Sequence, residues 1–219
     1  MVLGKQLTIK GYDGKPLKNR LYMQSSQTEK IALIFPGLAY NSMMPLLHYS
    51  IQAILATGIN VLSVDYDYSN NQEFLQQSLR EKSEWLLGDV EAALEFATNE
   101  EKQEVVCLAG KSLGTLALGH LLETRKNLRK AKTIWLTPLV KNPDLLEQML
   151  SYMKDAIMVI GTSDSQYDSH IIDRLNANTQ LGGIVIDGAN HSLEIEGDVT
   201  KSLRVLMQIV TIIQQFLAV

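Results

Sequence analysis

Val105-Val106-Cys107-Leu108-Ala109-Gly110-Lys111-Ser112-Leu113-Gly114 is the stretch on which the reading of this fold turns. Val105 to Ala109 is short, wholly apolar and closed by a glycine, which is how a strand buried on both faces of a sheet reads. Leu113 to Thr124 then follows a helical pattern, so the chain passes from strand to helix within two or three residues. The junction fits G-x-S-x-G. A turn that abrupt forces Ser112 into a strained backbone conformation, and side chains at 110 and 114 would collide across it. The strain lifts the Ser112 hydroxyl off the sheet and aims the first N–H groups of the following helix at whatever binds there. A plain strand-to-helix turn with a capping serine is the bland alternative. A phosphate-binding loop is the other, but it needs a glycine five positions before Gly110, where Val105 stands within an apolar strand.

The same alternation runs outward in both directions. Leu7 to Lys10 and Leu17 to Met23 flank the turn Tyr12-Asp13-Gly14-Lys15-Pro16 and read as an antiparallel pair. Short apolar runs follow at Ile31 to Phe35, Asn60 to Asp65, Thr133 to Leu136, Ile157 to Ile160 and Ile184 to Ile186. Helical patterns lie between them at Pro45 to Ala56, Glu73 to Thr98, Pro143 to Ser151, Asp168 to Ala177 and Asp198 to Ala218. Pro45 and Pro143 suit first-turn positions, where a missing N–H costs nothing. Strand–helix alternation of this kind predicts a mostly parallel α/β sheet with helices on both faces, built as one domain over residues 1–219.

Composition narrows the function classes. The 219 residues carry 20 Lys+Arg against 24 Asp+Glu, a net charge of −4, which leaves no basic excess to hold nucleic acid. One cysteine, Cys107, excludes an internal disulfide framework and a clustered-cysteine metal site; within its apolar strand it reads as a small core residue. The first ten residues are too polar for a secretory signal, and the apolar run from Leu203 is broken by Arg204, Gln208, Gln214 and Gln215, short of a membrane span. That run reads as a terminal helix packed on the core, with an apolar arc wide enough for a subunit interface. The expectation is a cytoplasmic monomer or homodimer with neither nucleic-acid nor membrane partners.

In parallel sheets ligands bind beyond the carboxyl ends of the strands, so the residues that follow each strand carry the function. Ser112 needs a base, and the base needs an orienting group. Of four histidines, His48 and His120 lie inside helical patterns and His170 opens one. His191 lies in the small-residue loop Gly188-Ala189-Asn190-His191-Ser192 after the last strand, on the edge that carries Ser112. Asp164, in Gly161-Thr162-Ser163-Asp164, ends another strand on that edge and is the candidate acid. Asp168 and Asp187 stand in reserve, the former as a helix cap, and Asp65 and Asp67 end an earlier strand. For an oxyanion the candidate donors are the N–H of Leu113, next to the serine, and that of Leu38 in Pro36-Gly37-Leu38-Ala39-Tyr40-Asn41. Tyr40, Asn41, Tyr66, Tyr68 and Thr137 follow strands and are candidate substrate-binding residues, with core filling at strand ends as the alternative. Lys111 either meets an anionic substrate or is simply solvated.

With Ser112, Asp164 and His191 in that chain order, the sequence resembles the α/β-hydrolase superfamily from about Ile31 onward. It is similar to small capless serine hydrolases of the dienelactone-hydrolase-like and esterase-like kind. Phe35-Pro36-Gly37-Leu38 matches the oxyanion loop, Gly110 to Gly114 the nucleophile elbow, and the loops at Asp164 and His191 the acid and base. The resemblance implies an α/β-hydrolase fold with about eight strands, mostly parallel, no cap domain, and catalysis without metal or cofactor. Two departures stand out: Pro36 replaces the histidine many members have before that glycine, and dienelactone hydrolases proper use cysteine where this chain has Ser112. The implied activity is cleavage of a small carboxylic ester or thioester through an acyl-enzyme. The other classes are a catalytically silent binding module on the same fold and an acyltransferase using the same serine.

Overall fold

Eight strands line up in one sheet in the order β1-β2-β4-β3-β5-β6-β7-β8. The structure is a computed structural model that describes residues 2–25, 28–178 and 182–218. The strands are β1 (Val2–Lys10), β2 (Pro16–Gln24), β3 (Lys30–Phe35), β4 (Asn60–Val64), β5 (Glu104–Lys111), β6 (Lys132–Leu136), β7 (Ala156–Gly161) and β8 (Gly182–Ile186). β2 runs antiparallel to both β1 and β4, and every other neighbour pair is parallel. The helices are α1 (Pro45–Leu55), α2 (Gln72–Gln76), α3 (Leu79–Glu95), α4 (Gly114–Thr124), α5 (Pro143–Tyr152), α6 (Ser169–Asn178) and α7 (Val199–Ala218). This is the predicted α/β architecture, with no helix of the described residues long and apolar enough to cross a membrane.

The central strands β3, β4, β5, β6 and β7 are largely buried on both faces, whereas the edge strand β8 leaves Val185 exposed, and strand alternation decides which residue goes to which side. Ile31, Leu33 and Phe35 of β3 join the core under α3, α4, α5 and α6, while Ala32 and Ile34 join the core under α1 and α7. On β5 the alternation slips once. The register against β3 shifts between Ile31 and Ala32, so that Val106 is passed over and Cys107 pairs with Ala32. A bulge of this kind puts two successive residues on one side, here Val106 and Cys107 against the α1/α7 core. From Cys107 the period of two resumes: Leu108 faces α4, Ala109 faces α1 and α7.

Most boundaries shift by a residue or two from the sequence reading, and three differences have a clear physical cause. β1 begins at Val2, not Leu7, because its pairing with β2 continues unbroken from Lys10↔Pro16 back to Val2↔Gln24; Gly4, Lys5 and Gln6 carry no strand signal of their own, and the ladder supplies it. The predicted helix from Glu73 to Thr98 divides in two. Ser78 caps α3 with a capping box, its Oγ accepting from the Glu81 N–H and the Glu81 carboxylate accepting from the Ser78 N–H, which holds Gln77 and Ser78 extended between α2 and α3. β5 also runs two residues beyond its predicted end at Ala109, and pairs Lys111 with Leu136.

Candidate active site

The carboxyl ends of β3, β5, β6, β7 and β8 bring five loops to one edge of the sheet. At the end of β5, Ser112 has φ +53°, a left-handed conformation that serine adopts only when its surroundings force it. Its N–H donates to the Leu136 carbonyl at 3.0 Å, which ties the turn to β6. A Cβ on Gly110 would meet the Gly114 backbone, and one on Gly114 would overlap the carbonyl of Phe35 at the end of β3. The second glycine is therefore demanded by the neighbouring strand, in addition to the turn itself.

His191 Nε2 lies 2.8 Å from Ser112 Oγ, and His191 Nδ1 lies 2.7 Å from Asp164 Oδ2. A carboxylate only accepts, so Nδ1 carries the proton and Nε2 is left to accept from the serine hydroxyl. The Asp164 side chain has no exposed surface, and its other oxygen accepts from the Gln166 N–H at 2.9 Å. The His191 side chain is 38% exposed, so the reacting end of the line faces solvent.

Two loops must meet for this line to form, and the backbone shows how they do. A Cβ on Gly161 would collide with the Ala189 carbonyl, and the Ser163 N–H donates to that same carbonyl at 3.0 Å. Thr162 adds a second tie, donating to Asp187 and accepting from the Gly188 N–H at 2.7 Å. The Asn190 side chain then closes the base loop by accepting from the N–H groups of Ser192 and Glu194. The other acids of the sequence reading are occupied elsewhere. Asp187 holds Thr162, Asp168 caps α6 through the N–H groups of His170 and Ile171, and Asp65 takes Arg20 and Ser42.

Leu38 is 43% exposed in the loop after β3 and Leu113 is half-buried beside the serine. Among the described residues no acceptor takes either N–H. The loop is braced from below: Tyr66 donates its hydroxyl to the Pro36 carbonyl at 2.6 Å, and Gly37 donates its N–H to the Tyr40 carbonyl at 3.1 Å. Tyr66 and Tyr40 are buried, and Tyr40 accepts from the Leu46 N–H at the start of α1. Burial raises both phenols above the ordinary tyrosine value. Tyr68 stacks between Tyr66 and Phe74 and donates to the buried Asp89. Thr137 is fully buried, whereas Asn41 is exposed and accepts from the Met43 N–H. A cavity of about 540 Å³ borders Tyr40, Asn190 and Ser192, and one of about 520 Å³ borders Asn41, Met43 and Tyr66. Among the described residues no cluster of three or more His, Cys, Asp or Glu could hold a metal ion.

Lys111 departs from both sequence readings. It is 2% exposed, neither solvated nor open to a substrate. Its Nζ donates to the His191 carbonyl at 3.0 Å and to Thr137 Oγ1 at 3.3 Å, and sits 4.8 Å from the centre of the Tyr40 ring. Burial lowers its pKa to about 8, against the opposing pull of Asp164. The signal was present in the sequence: two residues on from Ala109, a strand that does not end at 109 puts position 111 on the same buried face.

No protein-family model matches the chain, and no curated protein does. Solved structures do. Est1E of Butyrivibrio proteoclasticus, determined with ferulic acid bound, superposes with a TM-score of 0.75 at 16% identity over 96% of this chain and 97% of its own. The Pyrococcus furiosus esterase Pf2001 gives 0.72 at 16% identity over 98% and 91%. A lidless α/β serine hydrolase of Xanthomonas campestris gives 0.69 at 16% identity over 97% and 93%. At such identities the likeness establishes architecture, and the chain has the α/β-hydrolase fold in its capless form.

Proposed function

We propose that the chain is a serine hydrolase that cleaves a small carboxylic ester or thioester through an acyl-enzyme. The observation that carries this is the unbroken line from Ser112 Oγ through His191 to the buried Asp164, with bonds of 2.8 and 2.7 Å, on a serine held at φ +53°. As Ser112 Oγ bonds to the acyl carbon, its proton passes to His191 Nε2, and Asp164 stabilises the imidazolium without taking the proton itself. The carbonyl oxygen gathers the negative charge, and the Leu38 and Leu113 N–H groups, neither of which is taken by another acceptor among the described residues, are the candidate donors to it. His191 returns the proton to the departing alcohol or thiol. It then takes one from water, whose oxygen attacks the acyl carbon, and the acid leaves as Ser112 regains its hydrogen.

What surrounds the line supports this substrate class. The reacting groups sit at an open surface, so an ester of modest size reaches them without displacing a lid. Esters and thioesters also demand less help for the leaving group than amides. The esterases among the structural neighbours support the same class.

A fluorophosphonate probe tests the proposal, since it reports an activated serine whatever the natural substrate. Intact mass should show one adduct on the wild type and none on Ser112→Ala or His191→Ala. No adduct on folded wild-type protein rejects it in favour of a binding role. With an adduct in hand, product analysis in the presence of a competing alcohol separates hydrolysis from acyl transfer.

A further inference from the structure

We propose that Lys111 is a positioning residue that fastens the loop carrying His191, and the loop carrying Tyr40, to the end of the nucleophile strand. The proposal rests on the serine-hydrolase reading of Ser112 and His191. An ammonium offers three donors and no acceptor. Two of the three are placed here on groups from different strand ends, the His191 carbonyl and Thr137 Oγ1, and the Tyr40 ring takes the charge from a further side. The Lys111 stem passes under the loop after β3, where its Cδ would lie 3.5 Å from a Cβ built on Gly37. One side chain thereby touches the loops that supply the nucleophile, the base and the candidate Leu38 donor.

The cost of this arrangement argues that it does something. Among the described residues no carboxylate reaches ion-pair distance of Lys111, and a buried charge without a partner is expensive. An apolar chain of similar length would fill the space without that cost, and would leave the His191 carbonyl unanchored. Thr137 adds independent evidence of constraint: it is β-branched, fully buried and at φ +45°, a conformation that persists only where surrounding contacts over-determine it. The charged and titratable groups around Lys111 are Asp164 from the loop after β7, His191 itself and Tyr40, with Glu194 acting on Tyr40 from beyond the base loop. Of these, Asp164 favours the ammonium and burial disfavours it, so the fastening weakens as pH rises past about 8.

The test uses fluorophosphonate labelling of wild type, Lys111→Met and Thr137→Val from pH 6 to 10, with p-nitrophenyl acetate turnover to separate kcat from KM. Misplacing a catalytic base by about an ångström costs on the order of 10²-fold, so Lys111→Met should label about 10²-fold more slowly. Its loss should fall on kcat with KM changed less than about threefold, the pattern of a lost transition-state arrangement. Wild type should also show an alkaline fall in labelling that Lys111→Met lacks. In Thr137→Val the fall should move to lower pH, because the ammonium has lost one acceptor. A Lys111→Met protein that labels at the wild-type rate with the same alkaline fall overturns the proposal while leaving the serine-hydrolase reading intact. If circular dichroism shows that variant unfolded, Thr137→Val decides, and an unmoved alkaline fall overturns it. Wild type unlabelled at every pH removes the hydrolase reading and the Lys111 proposal with it.

Discussion

Replacing Lys111 by methionine should change how stability depends on pH, in a direction the structure fixes. The unfolded chain binds the Lys111 proton with an ordinary pKa of 10.5, and the folded chain with one near 8. Between these values the unfolded state holds more protons, so wild-type stability rises with pH across the window. The full displacement corresponds to about 3 kcal/mol of disfavoured charge, and most of it, about 2.5 kcal/mol, should be recovered between pH 7 and 10. Methionine removes the titrating group and with it this slope. At pH 7 it also removes the buried charge but strands the His191 carbonyl and Thr137 Oγ1, which costs about 1–3 kcal/mol, so the two proteins should be of similar stability there. Urea unfolding of both proteins at pH 7, 8, 9 and 10 reads the difference, since every other titrating group cancels between them. Wild type should gain on the variant steadily as pH rises. Parallel stability curves from pH 7 to 10 would show that Lys111 is not a buried ammonium whose pKa the fold lowers.

Three further outcomes follow from the same geometry. Asp164→Asn should fold normally yet lose about 10⁴-fold in kcat, because an amide in place of the carboxylate no longer fixes the His191 tautomer or stabilises its cation; turnover of p-nitrophenyl acetate within tenfold of wild type would contradict this. Ser112→Gly should abolish labelling but raise the unfolding free energy by about 1 kcal/mol, since glycine holds φ +53° without strain, and equilibrium urea unfolding would expose any loss instead. Gly161→Ala places a methyl group against the Ala189 carbonyl and should destabilise by about 1–3 kcal/mol while also slowing labelling, because the loops of Asp164 and His191 are joined there. A variant with wild-type stability and labelling rate would mean the two loops are not held in contact.

What could be read from the sequence was whatever depended on local chemistry. Gly110, Ser112 and Gly114 mark the turn because their backbone demands are local, and short apolar runs of three to six residues mark the parallel strands because the central ones are covered on both faces. Ser78 and Glu81 could have divided the helix predicted from Glu73 to Thr98, since a capping box has its own spacing; the apolar pattern on either side masked it. The bulge at Val106 could not be seen in the same way. It is set by pairing against Ile31 and Ala32, more than seventy residues earlier, and it shifts which residues of β5 face which core. Lys111 fell between the two cases. Ending the strand at Ala109 left it on a loop, where a lysine is expected to be wet, whereas pairing with Leu136 carries the strand on and turns it inward. Tyr66 and Tyr68 show the same difficulty: a tyrosine at a strand end reads equally as a pocket wall or as a brace, and only their partners, the Pro36 carbonyl and Asp89, distinguish the roles.

The places where local rules break are not scattered. Five non-glycine residues have positive φ among the described residues, and three of them, Ser112, Thr137 and Leu193, lie at the carboxyl edge of the sheet around His191. The buried Lys111 ammonium is in the same place, bonded to one of those residues and to the loop that contains another. Each of these features is unfavourable by itself, of the order of 1–3 kcal/mol for a strained backbone position. They coexist because the two apolar cores on either side of the sheet fix β5, β6 and β7 in register, leaving the loops at their ends no alternative conformation of comparable energy. A strained serine, a β-branched residue in a left-handed conformation and an unpaired buried charge, all within one hydrogen-bonded neighbourhood, are more economically explained by one requirement than by three. The requirement that fits all of them is to hold Ser112 and His191 at bonding distance at an open surface, where neither packing nor a lid would otherwise do it.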